Sequence, residues 1–254
     1  MLVIAHLSDL HLGAHDPAAV ASVAADVTRV SPALTVVTGD LSMRARTSQF
    51  RLARALLDRL PAPLLVVPGN HDVPLVSVDR LVGPYRRYRR LIRPDLDPVL
   101  RLPGVTVIGL HTSPPWRWKS GRVSRQQSEA VVAVLGSAPA GTVRVLALHH
   151  PPRAGGLARM AGRTRLMRAV GAARVDLILA GHTHVPRVDP VRLDGTAHEP
   201  IEVVAGTAVS RRTRGTGRSW TVIRVDRTAV VVEQRVQTAG GWRTGSVRRF
   251  ARPA

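Results

Sequence analysis

The sequence predicts an α/β protein in which a parallel β-sheet is covered by helices and is followed by a β-rich second half. Short apolar runs alternate with amphipathic helical stretches up to about residue 186, and this alternation is typical of βαβ units. Beyond residue 186, a looser apolar–polar alternation predicts a second sheet packed on the first. No repeat or low-complexity linker separates the halves. We therefore expect one domain over residues 1–238 and a basic C-terminal tail over residues 239–254.

The first elements follow from apolar runs and helix-start signals. Buried strands are expected where an apolar run stops at polar or Pro-Gly residues, at Leu2–Leu7, Leu34–Thr38 and Leu64–Val67. Asp16 before Pro17 predicts the N-cap of a helix that runs to about Val30, and apolar spacing predicts another helix over residues 47–60. Residues 74–98 are less regular, and their arginines predict a solvated helix face.

The later elements obey the same rules. Further buried strands are expected at Val105–Leu110, Val143–Leu148 and Val175–Ala180. Ser124 predicts the N-cap of a helix to about Leu135, and another helix is expected over Thr164–Val170. Four more strands are expected at about 187–193, 200–205, 219–226 and 229–237.

The composition excludes several classes of protein. The 254 residues include no cysteine, which excludes disulfide scaffolds, thiolate zinc sites, iron–sulfur clusters and cysteine nucleophiles. An aromatic content of 3% argues against a stacking platform for single-stranded nucleic acid. The N-terminus lacks the pattern of a signal peptide, and no apolar run reaches the roughly 20 residues that span a bilayer. We therefore expect a cytoplasmic protein.

The net charge of +20 is the unusual feature of the composition. It suggests a polyanionic partner, either nucleic acid or an anionic membrane surface with peripheral association. The alternative is a compositional preference for arginine, since Lys119 is the single lysine of the chain. The charge alone does not decide between these interpretations.

Five short polar motifs follow apolar runs directly. They are Asp9-x-His11, Gly39-Asp40, Gly69-Asn70-His71-Asp72, His149-His150-Pro151 and Gly181-His182-Thr183-His184. Because the carboxyl ends of parallel strands line one edge of a sheet, we expect these side chains to converge. Carboxylate, amide and imidazole donors suit Mn²⁺, Fe²⁺, Fe³⁺ or Zn²⁺. The donors are too many for one ion and about right for two, and a carboxylate can bridge such a pair.

The ordered motifs resemble those of the calcineurin-like metallophosphoesterases, from about Leu2 to about Arg235. The sequence looks most similar to the compact bacterial branch that includes cyclic-nucleotide phosphodiesterases, on the strength of Leu7-Ser8-Asp9-Leu10-His11 and Gly121-x-x-Ser124-x-x-Gln127. The resemblance implies a four-layer α/β/β/α sandwich of two mixed β-sheets flanked by helices. It also implies hydrolysis of phosphodiester bonds, and of phosphomonoesters as a further option, by in-line attack of a metal-bridging hydroxide.

The resemblance also implies a role for each motif residue. The first metal would be held by Asp9, His11 and His184. The second would be held by Asn70, His149 and His182, and Asp40 would bridge both. His71 would act beside the scissile phosphate, and Asp72 would orient a neighbouring side chain.

Further residues are candidates for contacts around the metal ligands or with substrate. His150 neighbours a motif histidine, and His111 follows a predicted strand, but each has a plainer structural interpretation. Arg211 and Arg212 lie in a loop of the β-rich half, and arginine pairs bidentately with phosphate.

The function therefore remains open within limits. We expect hydrolysis of an anionic phosphoester, a cyclic nucleotide or another diester. The alternatives are a nuclease or DNA-processing phosphodiesterase, a phospholipid-type phosphodiesterase, and a binding protein with structural metals. The sequence leaves the oligomeric state open, and the resemblance allows a dimer.

Overall fold

Two mixed β-sheets pack face to face, and helices cover the outer face of each sheet. The computed structural model describes residues 1–252. Within them, the strands are β1 (Leu2–Leu7), β2 (Leu34–Thr38), β3 (Leu64–Val67), β4 (Val99–Leu102), β5 (Val105–Leu110), β6 (Val143–Leu148), β7 (Leu177–Ala180), β8 (Arg187–Pro190), β9 (Ile201–Val204), β10 (Ser219–Val225), β11 (Ala229–Thr238) and β12 (Gly241–Ala251). The helices are α1 (Pro17–Arg29), α2 (Thr47–Leu57), α3 (Asp79–Val82), α4 (Arg86–Leu91), α5 (Arg125–Gly136) and α6 (Arg163–Ala172).

Each sheet combines parallel and antiparallel strands. The first sheet has the order β12-β11-β10-β1-β2-β3, in which β1, β2 and β3 are parallel and β10, β11 and β12 are antiparallel. The second has the order β4-β5-β6-β7-β9-β8, with antiparallel strands at its edges. The carboxyl ends of the parallel strands in both sheets carry the five polar motifs.

Alternating side chains build three apolar cores. On β1, Ile4 lies in the core between the two sheets, whereas Ala5 and Leu7 pack against α1 and α2. A third core joins the second sheet to α5 and α6. The four-layer α/β/β/α sandwich is therefore confirmed.

The predicted helix starts of α1 and α5 are confirmed in detail. Asp16 Oδ1 accepts a hydrogen bond from Ala19 N at 2.9 Å, and Pro17 opens α1. Ser124 Oγ accepts from Gln127 N at 3.0 Å, and Gln127 Oε1 accepts from Ser124 N at 2.9 Å. This reciprocal pair is a capping box. No helix in the described part of the chain is long and apolar enough to cross a membrane.

The structure corrects the prediction of a basic tail over residues 239–254 for residues 239–252, whereas residues 253 and 254 lie outside the described residues. Residues 241–251 form β12, an edge strand paired with β11. Trp242 packs on the core beside α1 and donates a hydrogen bond to Ser22 Oγ at 3.0 Å, and Phe250 packs on the core between the sheets. The arginines of this segment hid the strand in the sequence, because a run rich in charge is typical of a solvated tail. An edge strand tolerates charged side chains, since only one of its two sides is paired with another strand.

The irregular segment 74–98 is also more ordered than its sequence indicates. It contains α3 and α4, and β4 follows it directly. Tyr88 anchors α4 because its ring is fully buried and its hydroxyl donates to Val66 O at 3.1 Å. The predicted solvated face is present on the other side of α4, where Arg86, Arg89 and Arg90 are exposed.

Candidate metal centre

The five polar motifs converge between the two sheets. Asp9 and His11 follow β1, Asp40 follows β2, and a 3₁₀ turn over Asn70–Asp72 follows β3. From the second sheet, His149 follows β6, and a turn after β7 contributes His182 and His184. The structure thus brings together all the residues that the sequence singled out as metal ligands.

Five of these residues adopt a backbone conformation that non-glycine residues avoid. Asp9, His11, Asp40, His182 and His184 have φ values of 52°, 45°, 52°, 71° and 62°. Such left-handed conformations are uncommon for residues with a side chain, and they cluster at functional sites. The fold therefore maintains backbone strain at the point where it aims these side chains inward.

Two glycines in the turns between strands and ligand residues lie too close to neighbouring atoms to carry a side chain. A methyl group at Gly69 would lie 2.1 Å from Asp40 Oδ1, and one at Gly181 would lie 1.8 Å from Ser8 Oγ. Neither position accepts a side chain without moving a neighbouring loop.

A first donor cluster comprises Asp9, His11, Asp40 and His184, whose ligand atoms lie within 4.8 Å of one another. His184 Nε2 lies 3.0 Å from His11 Nε2 and 3.1 Å from Asp9 Oδ1. All four residues are buried. The second carboxylate oxygen, Asp9 Oδ2, accepts from His182 N at 2.9 Å and holds the last motif against the first.

A second donor cluster comprises Asn70, His149 and His182. Asn70 Oδ1 lies 3.1 Å from His149 Nε2 and 3.0 Å from His182 Nδ1, and these two nitrogens are 3.2 Å apart. Asn70 and His182 are only half-buried, so this cluster is open to solvent on one side.

The Asp40 carboxylate connects the two clusters. Its Oδ2 lies 3.6 Å from His11 Nε2 in the first cluster and 3.4 Å from His149 Nε2 in the second. Its Oδ1 accepts from His71 N at 2.8 Å, which fixes the carboxylate plane. Asp40 is the residue of this site that reaches both donor sets.

Backbone carbonyls orient two of the imidazoles. His149 Nδ1 donates to Thr38 O at 2.8 Å, and His184 Nδ1 donates to Arg212 O at 2.6 Å. Because a carbonyl only accepts, the proton of each neutral ring is on Nδ1, and the Nε2 lone pair faces the cluster. Metal-ligating histidines are held in the same way.

The electrostatics of the site favour a cation. Burial alone raises the pKa of Asp40, but the charges of His149, His71 and His11 hold it well below its usual range. Burial alone lowers the pKa of His149, but Asp40 raises it to about 9. Burial lowers the pKa of His182 to about 4. The pocket therefore keeps its carboxylates ionised and favours a positive charge near His149 Nε2.

The donor set fits a pair of metal ions. Asp9 Oδ1 is buried and has no hydrogen-bond partner within the described residues. Asn70 Oδ1, His149 Nε2 and His182 Nδ1 lie within 3.2 Å of one another, so three potential ligand atoms converge in the second cluster. Oxygen and imidazole donors without sulfur suit Mn²⁺, Fe or Zn²⁺.

His71 lies at the edge of the first cluster. Its Nδ1 donates to Met43 O at 2.9 Å, and its ring centroid is 4.8 Å from that of His11. Its Nε2 lies 3.3 Å from Arg212 Nη1, in a half-buried contact. His71 and Arg212 thus form one polar pair beside the donors.

Asp72 is near the site but does not contact an imidazole. Its carboxylate accepts from the backbone N–H groups of Leu41, Ser42 and Gly69, at 3.1, 2.8 and 2.9 Å. Burial, followed by the nearby charge of Asp40, raises the pKa of Asp72 to about 6. The Asp72 carboxylate also accepts from Ser42 Oγ at 3.0 Å, so it holds one neighbouring side chain and anchors the loop after β2 to the turn after β3.

The remaining candidates separate clearly. His150 is buried beside the second cluster: its Nδ1 is 2.7 Å from Thr112 Oγ1, and its ring centroid is 4.4 Å from that of His182. His111 is outside both clusters and contacts Asp97 at 2.7 Å. Arg211 is exposed, and only its backbone makes a contact, donating from N to Ala14 O. Among the four, His150 and Arg212 reach the site, whereas His111 and Arg211 do not.

Sequence reasoning missed the groups that hold the imidazoles. They are the carbonyls of Thr38, Met43 and Arg212 and the hydroxyl of Thr112. A backbone carbonyl has no residue-type signal, so the sequence carries no trace of the first three. Thr112 could have been noted only from its place two residues after the end of β5.

Comparisons with known proteins identify the family of this chain. The sequence profile of the family described as calcineurin-like phosphoesterase matches residues 2–186, which include all five motifs. A probable cyclic nucleotide phosphodiesterase from Synechococcus is 30% identical over 199 residues, covering 72% of this chain and 73% of that protein. A cAMP/cGMP dual specificity phosphodiesterase from Mycobacterium tuberculosis is 31% identical over 206 residues, covering 72% of this chain and 61% of that protein.

A solved structure has the same fold at low sequence identity. The purple acid phosphatase PPD1 from yellow lupin seeds superposes with a TM-score of 0.76 and 14% identity, covering 98% of this chain and 53% of that chain. At this identity the likeness concerns the fold alone.

Proposed function

The chain belongs to the calcineurin-like phosphoesterase family, and from that premise we propose that it is a dinuclear-metal phosphodiesterase. The observation that carries this proposal is the position of Asp40. One carboxylate oxygen lies within 3.6 Å of donors from two separate clusters. A carboxylate in that position can bridge two ions.

We assign each donor set to one ion. Asp9, His11 and His184 hold the first, Asn70, His149 and His182 hold the second, and Asp40 contributes to both. Mn²⁺, Fe and Zn²⁺ all match these donors. When bound, such a pair acts as a Lewis acid, lowers the pKa of a water molecule and neutralises charge on a phosphoryl group.

His71 and Arg212 are proposed to act on the substrate. The Nδ1–H···O=C bond to Met43 holds the His71 ring with Nε2 directed at Arg212. In the imidazolium form, which keeps Nδ1–H on Met43 O, Nε2–H can donate a hydrogen bond to a phosphoryl oxygen or a proton to the leaving oxygen. The guanidinium of Arg212 is 3.3 Å from the same nitrogen and can pair with another phosphoryl oxygen.

Asp72 is proposed to position His71 through the backbone. Its hydrogen bonds fix Gly69 N and the two amides that follow Asp40. These contacts keep the turn after β3 in register with Asp40, which itself binds His71 N. The domain proposed for residues 1–238, with β12 added to its first sheet, supplies every one of these groups.

The proposed substrate class is a phosphodiester, and cyclic nucleotides are the first members to test. The support is the naming of two relatives as cyclic-nucleotide phosphodiesterases and the opening of the second cluster to solvent. DNA, phospholipid headgroup diesters and phosphomonoesters are the alternatives that the same site could accept.

A substrate panel with a matched pair of variants tests the proposal. The wild-type chain is assayed with Mn²⁺, Fe²⁺ or Zn²⁺ on bis(p-nitrophenyl) phosphate, 3′,5′-cyclic AMP, glycerophosphodiesters, duplex DNA and p-nitrophenyl phosphate. We expect turnover of the diesters that Asn70→Ala abolishes and that Gln126→Ala, an exposed amide on α5, leaves intact. Equal turnover in wild type and Asn70→Ala, or no turnover of any diester with any metal, contradicts the proposal.

A further inference from the structure

Two adjoining loops beside the metal centre expose apolar side chains to solvent. Of the twelve exposed large apolar side chains whose burial the structure describes, seven lie on these loops. We call this set the apolar rim: Leu75, Val76, Val78, Leu81, Val82, Trp116 and Trp118. Val76 and Leu81 are 82% and 81% exposed, and Trp116 is 65% exposed. These side chains therefore face solvent and are not partly buried residues at the edge of a core. Clustering of this kind marks an interaction surface.

The contacts of Arg80 show that the two loops form one surface. Its Nη1 donates to Pro74 O at 2.6 Å in the first loop, and its Nη2 donates to Arg117 O at 3.0 Å in the second. Its guanidinium lies 5.0 Å from the centroid of the Trp118 ring. Within the first loop, residues 78, 81 and 82 are spaced to share one face of the turn at α3.

The apolar rim is fixed to the edge that carries the metal centre. The first loop continues directly from the turn that holds Asn70, His71 and Asp72. Both ends of the second loop pack against His150: Thr112 Oγ1 is 2.7 Å from its Nδ1, and a methyl group at Gly121 would lie 2.7 Å from its Cγ. A partner that covers the apolar rim therefore comes to lie beside the opening of the site.

The chain segments that carry the apolar rim are rich in basic residues. Residues 74–93 contain six arginines and one aspartate, and residues 114–122 contain three basic residues and no acid. Together these 29 residues carry +8 of the net charge of +20. The charges touch the apolar side chains: the guanidinium of Arg122 is 5.7 Å from the Trp116 ring centroid, and Lys119 is exposed next to Trp118.

We infer that the apolar rim docks on an anionic lipid surface. Tryptophan is enriched at the boundary between lipid and water, because its ring is apolar and its N–H is polar. Apolar side chains at the acyl boundary and cations against lipid phosphates strengthen binding together. This inference is independent of the proposed phosphodiesterase activity.

A second copy of the chain and a nucleic acid are two other possible occupants, and neither fits both the apolar and the basic side chains of this surface. A two-fold contact between copies of the chain would place the basic residues of one apolar rim against those of the other, which is repulsive. Nucleic acid would pair with the arginines, but valine and leucine side chains gain little from a phosphate backbone. A membrane with anionic headgroups uses both the charges and the apolar side chains.

Vesicle binding of the full chain tests the inference, with variants chosen at exposed positions. Sedimentation is measured with vesicles of phosphatidylcholine alone and of phosphatidylcholine with phosphatidylglycerol. The apolar variant is Val76→Asp/Leu81→Asp, with Val247→Asp on β12 as its matched control. The charge variant is Lys119→Gln/Arg122→Gln, with Arg192→Gln/Arg249→Gln as its control. Thermal unfolding establishes that each variant is folded.

We expect wild type to bind the anionic vesicles and to bind phosphatidylcholine much more weakly. The apolar variant should lose at least about tenfold in affinity, because carboxylates oppose burial at the lipid boundary. The charge variant should lose about 30-fold at low salt, and both controls should bind as wild type does.

Three results would overturn the inference. The first is no binding of wild type to anionic vesicles at about 0.15 M salt or below. The second is equal binding by wild type and Val76→Asp/Leu81→Asp, which would mean unspecific charge attraction. The third is a dimer or a complex with duplex DNA that the apolar variant disrupts, while vesicle binding is absent.

Discussion

The metal-site edge and the loops beside it differ in what they hide from water. At the edge, Asp9, His11 and His149 are fully buried. On the adjoining loops, Val76 and Leu81 are more than four-fifths exposed. Soluble proteins ordinarily show the opposite distribution, and a buried polar group or a large exposed apolar patch is the informative exception.

The contrast teaches that each region lacks something that the folded chain does not itself supply. A buried acceptor without a hydrogen bond costs about 1–3 kcal/mol, so the donor clusters are costly unless a cation fills them. The exposed valines and tryptophans lose their hydrophobic stabilisation unless a partner covers them. One region therefore indicates metal ions and the other a surface, and each can be tested separately.

The largest effect is expected from removing the residue that connects the donor clusters. Asp40→Ala should lower kcat for bis(p-nitrophenyl) phosphate with Mn²⁺ on the order of 10⁴-fold, since metal stabilisation of transition-state charge contributes several kcal/mol. Asp58→Ala, which removes an exposed carboxylate at the end of α2, is the matched control. A kcat of Asp40→Ala within tenfold of that of wild type would contradict the interpretation of the buried donor clusters as a metal site connected by Asp40.

A smaller effect is expected at His71, because it is placed beside the donors and not among them. His71→Ala should lower kcat about 10³-fold while metal content stays near that of wild type, as for a lost proton donor. His198→Ala, outside both clusters, serves as the control. Kinetics and elemental analysis are made on the same samples. Loss of bound metal in His71→Ala would show that its role is assigned wrongly.

The next effect tests whether a buried histidine outside the clusters also costs stability. His6 on β1 is fully buried beside Thr38, and burial lowers its pKa to about 3, an effect that Asp9 partly offsets. The unfolded chain protonates His6 near pH 6.5 and the folded chain only near pH 3, so stability falls as the pH drops between these values. Protonation of His6 alone is expected to lower the free energy of unfolding by about 3 kcal/mol between neutral pH and pH 4.5.

Urea unfolding of wild type and His6→Gln at pH 7.5 and pH 4.5 measures that contribution. The loss of stability on acidification should be smaller in His6→Gln. The other buried histidines are common to both proteins and cancel in the comparison. Parallel pH dependence in wild type and variant would show that His6 is protonated without cost.

The sequence predicted the parts of this molecule that combine a pattern with a residue type. Strands such as Leu2–Leu7 and Leu64–Val67 have the predicted bounds, because the polar or Pro-Gly residues that follow an apolar run mark where the strand ends. The five motifs were found in the sequence for the same reason, and their convergence follows from parallel topology. Their roles as metal ligands remain predictions.

The rest depends on tertiary contacts that a single sequence does not contain. Arg211 and Arg212 are neighbours in the chain, yet only the second reaches His71, since the loop is held by the bond from His184 to Arg212 O. β12 was misread as a tail because three of its eleven residues are arginines. Trp242 is recognisable as a residue that packs on the core only once α1 lies beside it.

Metal content per chain tests the central claim most directly. After loading with Mn²⁺ and removal of unbound ions, elemental analysis should find about two ions per wild-type chain. Asn70→Ala, which removes a donor from the second cluster only, should retain about one, and Gln126→Ala should retain both. One ion or fewer in wild type, or an unchanged content in Asn70→Ala, would contradict a metal pair shared through Asp40.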